Sequence, residues 1–236
     1  MDSCHKEGIV IVQNTGQQVM IFYIVCDESA SMSMNGGIQA INEALPELHA
    51  TIISDPIVVD KSRLAIIAFS DTAEVILPMS KATDIQDMPG VSENAATSYG
   101  AAFRTLRDTI QVDVDGLKAQ GYRVHRPCAF FITDGEPTDD GMWQAEFQQL
   151  LNHPYRPHII AFGVDGSRQE TLREVGTLKA FIGIDGVSPA KALASVMSQL
   201  GNTIVSSVTG AGAGGEPVID TRPLDDIEGI VALDTL

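Results

Sequence analysis

Five side chains with oxygen donors stand where predicted strands end or a predicted helix begins, and together they could hold a hard metal cation. Asp27, Ser29 and Ser31 directly follow an apolar run, Thr97 precedes a helical pattern, and Asp134 ends another apolar run. Carboxylate and hydroxyl oxygens suit Mg²⁺, with Mn²⁺ or Ca²⁺ as alternatives, better than they suit a soft metal. The pattern therefore predicts a metal site. We assign no catalytic residue.

The elements that must position these side chains are strands that are apolar on every residue. Residues 19–26, 64–69, 128–132 and 159–164 have this character, and residues 180–184 form a further strand. Such runs indicate strands buried on both faces, as in a parallel sheet. The carboxyl ends of parallel strands share one sheet edge, where α/β proteins bind ligands.

Helical patterns alternate with these strands. Three begin near residues 36, 97 and 143, a short one lies around Leu172 and ends at Gly176, and the last runs from Ser188-Pro189 to Val208. Pro46 should kink or break the first, at a cost of about 3 kcal/mol in a straight helix. Residues 111–126 have weak periodicity and are interpreted as a connection, and residues 73–77 as one antiparallel edge strand. The order predicts an α/β fold with a doubly wound, mostly parallel sheet and helices on both faces.

Three segments are predicted along the chain. Residues 1–18 form an N-terminal extension, a predicted β-hairpin with a strand at 9–12, and residues 19–208 form the folded domain. Residues 209–236 are a glycine-rich linker followed by an acidic C-terminal tail. That tail is either mobile or docked as an extra strand through Val218-Ile219. Its carboxylates also raise the hypothesis of autoinhibition, in which Asp225, Asp226 or Glu228 occupies the chain's own metal.

Composition narrows the partners and the compartment. The 236 residues include 15 basic and 31 acidic side chains, a net charge of −16, which disfavours nucleic acid and anionic membrane. Three cysteines cannot all pair with one another, and Cys26 and Cys128 lie in apolar strands, which favours buried thiols in a reducing compartment. With neither a signal peptide pattern nor a membrane-length apolar run, the sequence predicts a cytoplasmic protein.

Several other chemistries compete for the same residues. Asp27, Ser29 and Thr97 could simply cap helices, and Asp134-Gly135 could be a plain turn. The five histidines lack metal-ligand spacing, and Gly-x-Ser-x-Gly does not occur. The alternative function is a Mg²⁺-dependent hydrolase or phosphatase at the same edge. An aspartyl-phosphate mechanism generally needs a second carboxylate two residues after Asp27, where Ser29 stands.

The five oxygen donors, in this order, resemble the metal-ion-dependent adhesion site of the von Willebrand factor A domain. That motif is written Asp-x-Ser-x-Ser, then a distant Thr, then an Asp within Thr-Asp-Gly. The resemblance covers residues 19–208 and implies the Rossmann-like fold of this family. Ala30 replaces the glycine of many relatives, which removes no ligand. Glu28 adds a charge beside the site and is expected to be exposed, with metal contact as the alternative.

The resemblance also implies a role for each residue and for the chain. Ser29, Ser31 and Thr97 would coordinate the metal directly, and Asp27 and Asp134 would act through bound water. An Asp or Glu carboxylate of a protein partner would complete the coordination, which makes the domain a binding module and not an enzyme. Segments such as residues 133–139 resemble the bacterial, TerY-like branch associated with tellurium resistance. That branch implies stress-response work beside kinase- or phosphatase-type proteins.

Overall fold

A computed structural model describes residues 16–94, 96–139, 141–210 and 217–234. Within these ranges eight strands form one sheet. The strands are β1 (Gln18–Asp27), β2 (Ser62–Phe69), β3 (Ala73–Ser80), β4 (Arg123–Val124), β5 (Cys128–Thr133), β6 (His158–Gly163), β7 (Lys179–Gly183) and β8 (Ile230–Leu233). The predicted hairpin strand at 9–12 and most of the glycine-rich linker lie outside the described residues.

The strand order is β3-β2-β1-β5-β6-β7-β8, and the short β4 also pairs with β1. Pairs between β1, β2, β4, β5, β6 and β7 are parallel, whereas β2–β3 and β7–β8 are antiparallel. The mostly parallel, doubly wound sheet that the sequence predicts is thus confirmed. The chain reverses its direction of travel across the sheet between β1 and β5, and ligands of such sheets bind beside this point.

Seven helices cover the two faces of the sheet in the described part of the chain. They are α1 (Ala30–Met34), α2 (Gly37–Ile53), α3 (Pro56–Lys61), α4 (Tyr99–Ala119), α5 (Trp143–Leu151), α6 (Gln169–Val175) and α7 (Pro189–Thr209). One core joins residues of α1, α2, α3 and α7 to the sheet, and a second joins α4, α5 and α6. Phe22 and Ile24 enter the first core while Tyr23 and Val25 enter the second, which explains why β1 is apolar throughout.

Two helices differ from the sequence-based expectation. The interpretation of residues 111–126 as a connection is wrong, because α4 continues to Ala119 and buries Val114 and Leu117. Helix α2 continues past Pro46 to Ile53 without the predicted early break. Its face packs in the core with α7, and this burial offsets the local cost of proline.

In addition to the predicted antiparallel edge strand, β3, the acidic tail supplies a second one, β8, at the opposite edge of the sheet. Strand β8 pairs with β7, with Ile182 opposite Val231. The docking segment lies beyond the predicted Val218-Ile219, and Val218 is 74% exposed. In this arrangement Asp225 contacts Lys179 and Glu228 contacts Lys191. Two of the three carboxylates named in the autoinhibition hypothesis, Asp225 and Glu228, therefore contact lysines in this structure and not the predicted metal ligands.

None of the described helices combines the length and apolar character needed to cross a membrane. Cys26 and Cys128 are free and buried, as predicted for thiols inside the sheet.

Candidate metal centre

Asp27 is the last residue of β1, and its side chain is fully buried. Its Oδ1 accepts a hydrogen bond from the Ser29 amide at 2.9 Å, and its Oδ2 accepts one from the Thr133 hydroxyl at 2.6 Å. The pKa of Asp27 is raised to about 6, chiefly because the side chain is buried. The hydrogen bonds from Thr133 and Ser29 act in the opposite direction, and the charge of Asp134 contributes to the increase. A buried carboxylate with this balance is stabilised by a nearby positive charge.

The loop after β1 places two hydroxyls next to each other. Ser29 occupies the N-cap position of α1, yet its side chain makes no capping hydrogen bond. Its Oγ instead lies 3.1 Å from the Oγ of Ser31, and the Ser31 hydroxyl donates to Asp134 Oδ1 at 2.8 Å. The capping alternative therefore does not account for the Ser29 side chain.

Asp134 directly follows β5 and is 2% exposed. Its Oδ2 accepts a hydrogen bond from the Asn35 amide at 2.6 Å, while Oδ1 accepts the bond from Ser31. Burial raises the pKa of Asp134, the hydrogen bonds from Ser31 and Asn35 lower it, and the charge of Asp165 raises it. The structure thus links Asp134 directly to the loop after β1.

Thr97 is buried in the segment just before α4, but it does not cap that helix. Ser98 is the N-cap residue, and its hydroxyl accepts from the Ala101 amide at 3.1 Å. The Thr97 backbone is held by Thr138, whose amide donates to the Thr97 carbonyl at 2.8 Å. A Cβ placed on Gly135 would lie 3.8 Å from Thr97 Oγ1, so the threonine hydroxyl faces the residue that follows Asp134.

The prediction that Glu28 is exposed to solvent is wrong, because this residue is only 8% exposed. Its carboxylate accepts a hydrogen bond from the Asn94 side-chain amide at 2.6 Å, and its backbone carbonyl accepts from the Asn94 amide at 2.8 Å. Glu28 therefore ties the loop after β1 to the segment that leads to Thr97.

Three residues that support the site were not singled out from the sequence. Thr133 donates to Asp27, Asn35 donates to Asp134, and Asp139 accepts from the Ser98 hydroxyl and the Gly100 amide, both at 2.8 Å. A signal for two of them was present, since Thr133 and Asp139 belong to the segment that carries the family resemblance. Asn35 left no such signal, because its partner is distant in sequence.

The donor set fits a hard divalent cation. Asp27 and Asp134 are buried at the carboxyl edge of the sheet, and neither forms an ion pair with any basic side chain in the described ranges. A buried charge normally has a compensating partner. Groups of three or more His, Cys, Asp or Glu residues able to hold a metal do not occur among the described residues. The cluster instead combines two carboxylates with hydroxyls, which suits Mg²⁺.

Comparison with known families gives one match. Residues 22–136 match the von Willebrand factor type A domain, and the matched segment contains all five predicted ligands. A search of curated proteins gave no match.

Solved structures share the fold at low sequence identity. A von Willebrand factor type A protein from Catenulispora acidiphila has a TM-score of 0.59 and 17% identity, over 80% of this chain and 43% of its own. Proximal thread matrix protein 1 from the mussel byssus, described with a zinc-occupied MIDAS motif, has a TM-score of 0.58 and 16% identity, over 81% and 49%. Pilus adhesin SpaC from Lactobacillus rhamnosus GG, in its open conformation, has a TM-score of 0.59 and 13% identity, over 82% and 31%. The chain spans less than half the length of each of these structures.

Proposed function

We propose that the von Willebrand factor type A domain of this chain is a metal-dependent protein-binding module. Asp27, Ser29, Ser31, Thr97 and Asp134 would hold a divalent cation, Mg²⁺ by the chemistry of the donors, and a partner's Asp or Glu carboxylate would bind there. The observation that carries the proposal is a hydrogen-bonded cluster of two buried carboxylates and two serine hydroxyls, in which the carboxylates have no basic partner among the described residues. A relative described with a zinc-occupied MIDAS motif supports the class of site.

Each residue has a task that its contacts support. The hydroxyls of Ser29, Ser31 and Thr97 would contact the cation directly. Asp27 and Asp134 would orient the loops and, through bound water, make the electrostatic potential at the cation more negative. Asp27 already accepts from Ser29 and Thr133, and Asp134 from Ser31 and Asn35. When bound, the metal supplies a positive charge that attracts an external carboxylate. Neutral direct ligands leave most of that charge uncompensated, which favours capture of a carboxylate.

The geometry favours binding over catalysis at this edge. Asp27 is fully buried and each of its oxygens accepts a hydrogen bond within the protein, which disfavours its attack on a phosphoryl group. Ser29 stands where an aspartyl-phosphate enzyme would need its second carboxylate. Met34 and Met142, near two of the loops that build the site, are 82% and 67% exposed. Exposed, adaptable methionine side chains suit contact with a protein surface.

A partner-capture experiment tests the proposed function. The immobilised 236-residue chain is incubated with extract in Mg²⁺ or in chelator, and the retained proteins are identified by mass spectrometry. We expect partners that are released by chelator and are not retained by the Ser29→Ala protein. Replacing the partner's contacting Asp or Glu by Asn or Gln should abolish retention. Partners that bind equally with chelator and to the Ser29→Ala protein would contradict the proposal.

The metal affinity should fall in mild acid. Because the pKa of Asp27 lies near 6 in the folded, metal-free chain, a proton competes with the cation below that pH. At pH 5, one unit below this pKa, Mg²⁺ affinity should be about tenfold weaker than at pH 7.5. Isothermal titration with Mg²⁺ at the two pH values measures this.

The same proton has the opposite effect on the metal-free protein. Folding raises the pKa of Asp27 above the value of 3.8 for the free side chain, so its contribution to stability improves as the pH falls through 6. Thermal melts in chelator at both pH values therefore separate acid unfolding from loss of metal binding. An equal or higher Mg²⁺ affinity at pH 5 would show that Asp27 does not support the metal.

The biological setting extends this proposal. A cytoplasmic protein of the TerY-like, tellurium-resistance-associated branch would work beside kinase- or phosphatase-type partners in a bacterial stress response. This assignment rests on the sequence resemblance and stays a prediction. The retained proteins in the capture experiment would identify such partners directly.

A further inference from the structure

A polar pocket lies at the edge of the sheet where the parallel strands begin, opposite the edge that carries the candidate metal centre. It has a volume of about 270 Å³ and lies between the end of α4 and the chain entering β5 and β6. Its basic lining residues are Lys118, His125, Arg126 and Arg156. In a chain of net charge −16 with only 15 Lys and Arg residues, this concentration of basic side chains is unusual.

The guanidinium of Arg126 is held in place by the backbone. Its Nε donates to the Arg156 carbonyl at 3.0 Å and its Nη2 to the Pro157 carbonyl at 2.9 Å. These bonds occupy the edge formed by Nε and Nη2. The other edge, formed by Nη1 and the second Nη2 hydrogen, donates to no protein group in the described residues and remains available to a bidentate oxyanion.

The lysine and the two arginines of the pocket have no carboxylate partner among the described residues. Lys118, Arg126 and Arg156 form no ion pair within the described ranges. The Lys118 ammonium lies 4.1 Å from the centroid of the Tyr155 ring, and the Tyr155 hydroxyl donates to Asp115 at 2.9 Å. The Tyr155 ring therefore positions Lys118, while the Tyr155 hydroxyl is hydrogen-bonded to the nearby Asp115 carboxylate.

The positive charge of the pocket helps to lower the pKa of two titratable residues in or next to it. His158, the first residue of β6, has its pKa lowered to about 4 by burial and by the charges of Arg126 and Arg156. Burial and the charge of Arg156 likewise lower the pKa of Arg126. A bound anion would relieve this repulsion.

We propose that this pocket binds a phosphate monoester group. Two guanidiniums and an ammonium around one cavity match a doubly charged group with three terminal oxygens better than they match a single carboxylate. The volume leaves room for the group that carries the phosphate. The pocket is independent of the proposed metal centre, because it lies at the other end of the strands.

Titration calorimetry with inorganic phosphate tests the site. The 236-residue chain is titrated in chelator, against chloride at matched ionic strength, so that a metal-bound phosphate cannot contribute. Lys118 and Arg156 are exposed, and their replacement should leave the fold intact. We expect Arg156→Gln and Lys118→Gln each to weaken phosphate binding about tenfold. Lys81→Gln, which removes a charge 3.6 Å from Asp60 and away from the pocket, should not change it.

Two further probes identify the source of the phosphate. Glycerol phosphate represents a small metabolite, and a phosphoserine peptide represents a modified protein; each is compared with its unphosphorylated counterpart. Tighter binding of one probe supports the site and names its source. The proposal is wrong if phosphate binds no better than chloride, or if Lys81→Gln weakens it as much as Arg156→Gln does. Because Ser29→Ala should bind phosphate normally, failure here is distinguishable from failure of the metal site.

Discussion

Replacing Ser29 or Thr97 by alanine should remove the stabilisation that Mg²⁺ gives to this protein. If Mg²⁺ binds the folded chain alone, it should raise the free energy of unfolding by about 1–3 kcal/mol at ten to a hundred times its dissociation constant. Each hydroxyl is a predicted direct ligand, and neither is needed to cap its helix. The variants should therefore fold and yet show the same melting temperature in Mg²⁺ and in chelator.

Ser33→Ala is the matched control for this experiment. Ser33 lies on α1 as Ser31 does, but its hydroxyl donates to Glu93 at 2.9 Å and not to a predicted ligand. Its variant should keep the full Mg²⁺-dependent shift. If Mg²⁺ raises the melting temperature of Ser29→Ala and Thr97→Ala as much as that of the parent, the metal binds elsewhere. Differential scanning calorimetry over a Mg²⁺ series measures all four proteins.

The sequence could predict the parts of the site that lie at the ends of apolar runs. Asp27 ends β1 and Asp134 directly follows β5, and the apolar runs at 19–26 and 128–132 that precede them are visible in the sequence. Parallel strands then bring both carboxylates to one edge by topology alone. Thr97 entered through the spacing of a known motif, since a threonine before a helix would otherwise suggest a cap.

The support around these residues could not be predicted, because it depends on contacts between distant segments. Thr133 and Asp27 are 106 positions apart, and Asn35 and Asp134 are 99 apart. The burial of Glu28 similarly depends on Asn94, which belongs to a loop with no repeating pattern. Local periodicity contains no information about such partners.

Two elements were obscured by their own patterns. The second half of α4 has Val112 71% exposed, so an apolar residue outside the buried stripe weakens the helical period. Strand β8 buries Ile230 and Leu233 and exposes the two residues between them, which is not the alternation typical of a strand. Tertiary packing, and not local preference, determines both elements.

Thr133→Val should have the second large effect, on both stability and metal affinity. Thr133 is fully buried, its hydroxyl donates to Asp27 Oδ2 at 2.6 Å, and it accepts from the Gly135 amide at 3.2 Å. Valine keeps the volume but leaves a buried charged oxygen without its donor, which should cost about 2–3 kcal/mol of unfolding free energy. Because the Thr133 hydrogen bond lowers the pKa of Asp27, its loss should raise that pKa above 6 and weaken Mg²⁺ binding at pH 7.

The pH dependence separates this electrostatic effect from a simple packing defect. If valine acts through the proton on Asp27, raising the pH from 7 to 8.5 should restore much of the lost Mg²⁺ affinity while the parent changes little. Thr133→Ser retains the hydroxyl and should bind Mg²⁺ like the parent, although it loses a methyl group from the core. Titration calorimetry at the two pH values provides the comparison. Equal weakening in the serine and valine variants, with no recovery at pH 8.5, would mean that Thr133 supports the site only by packing.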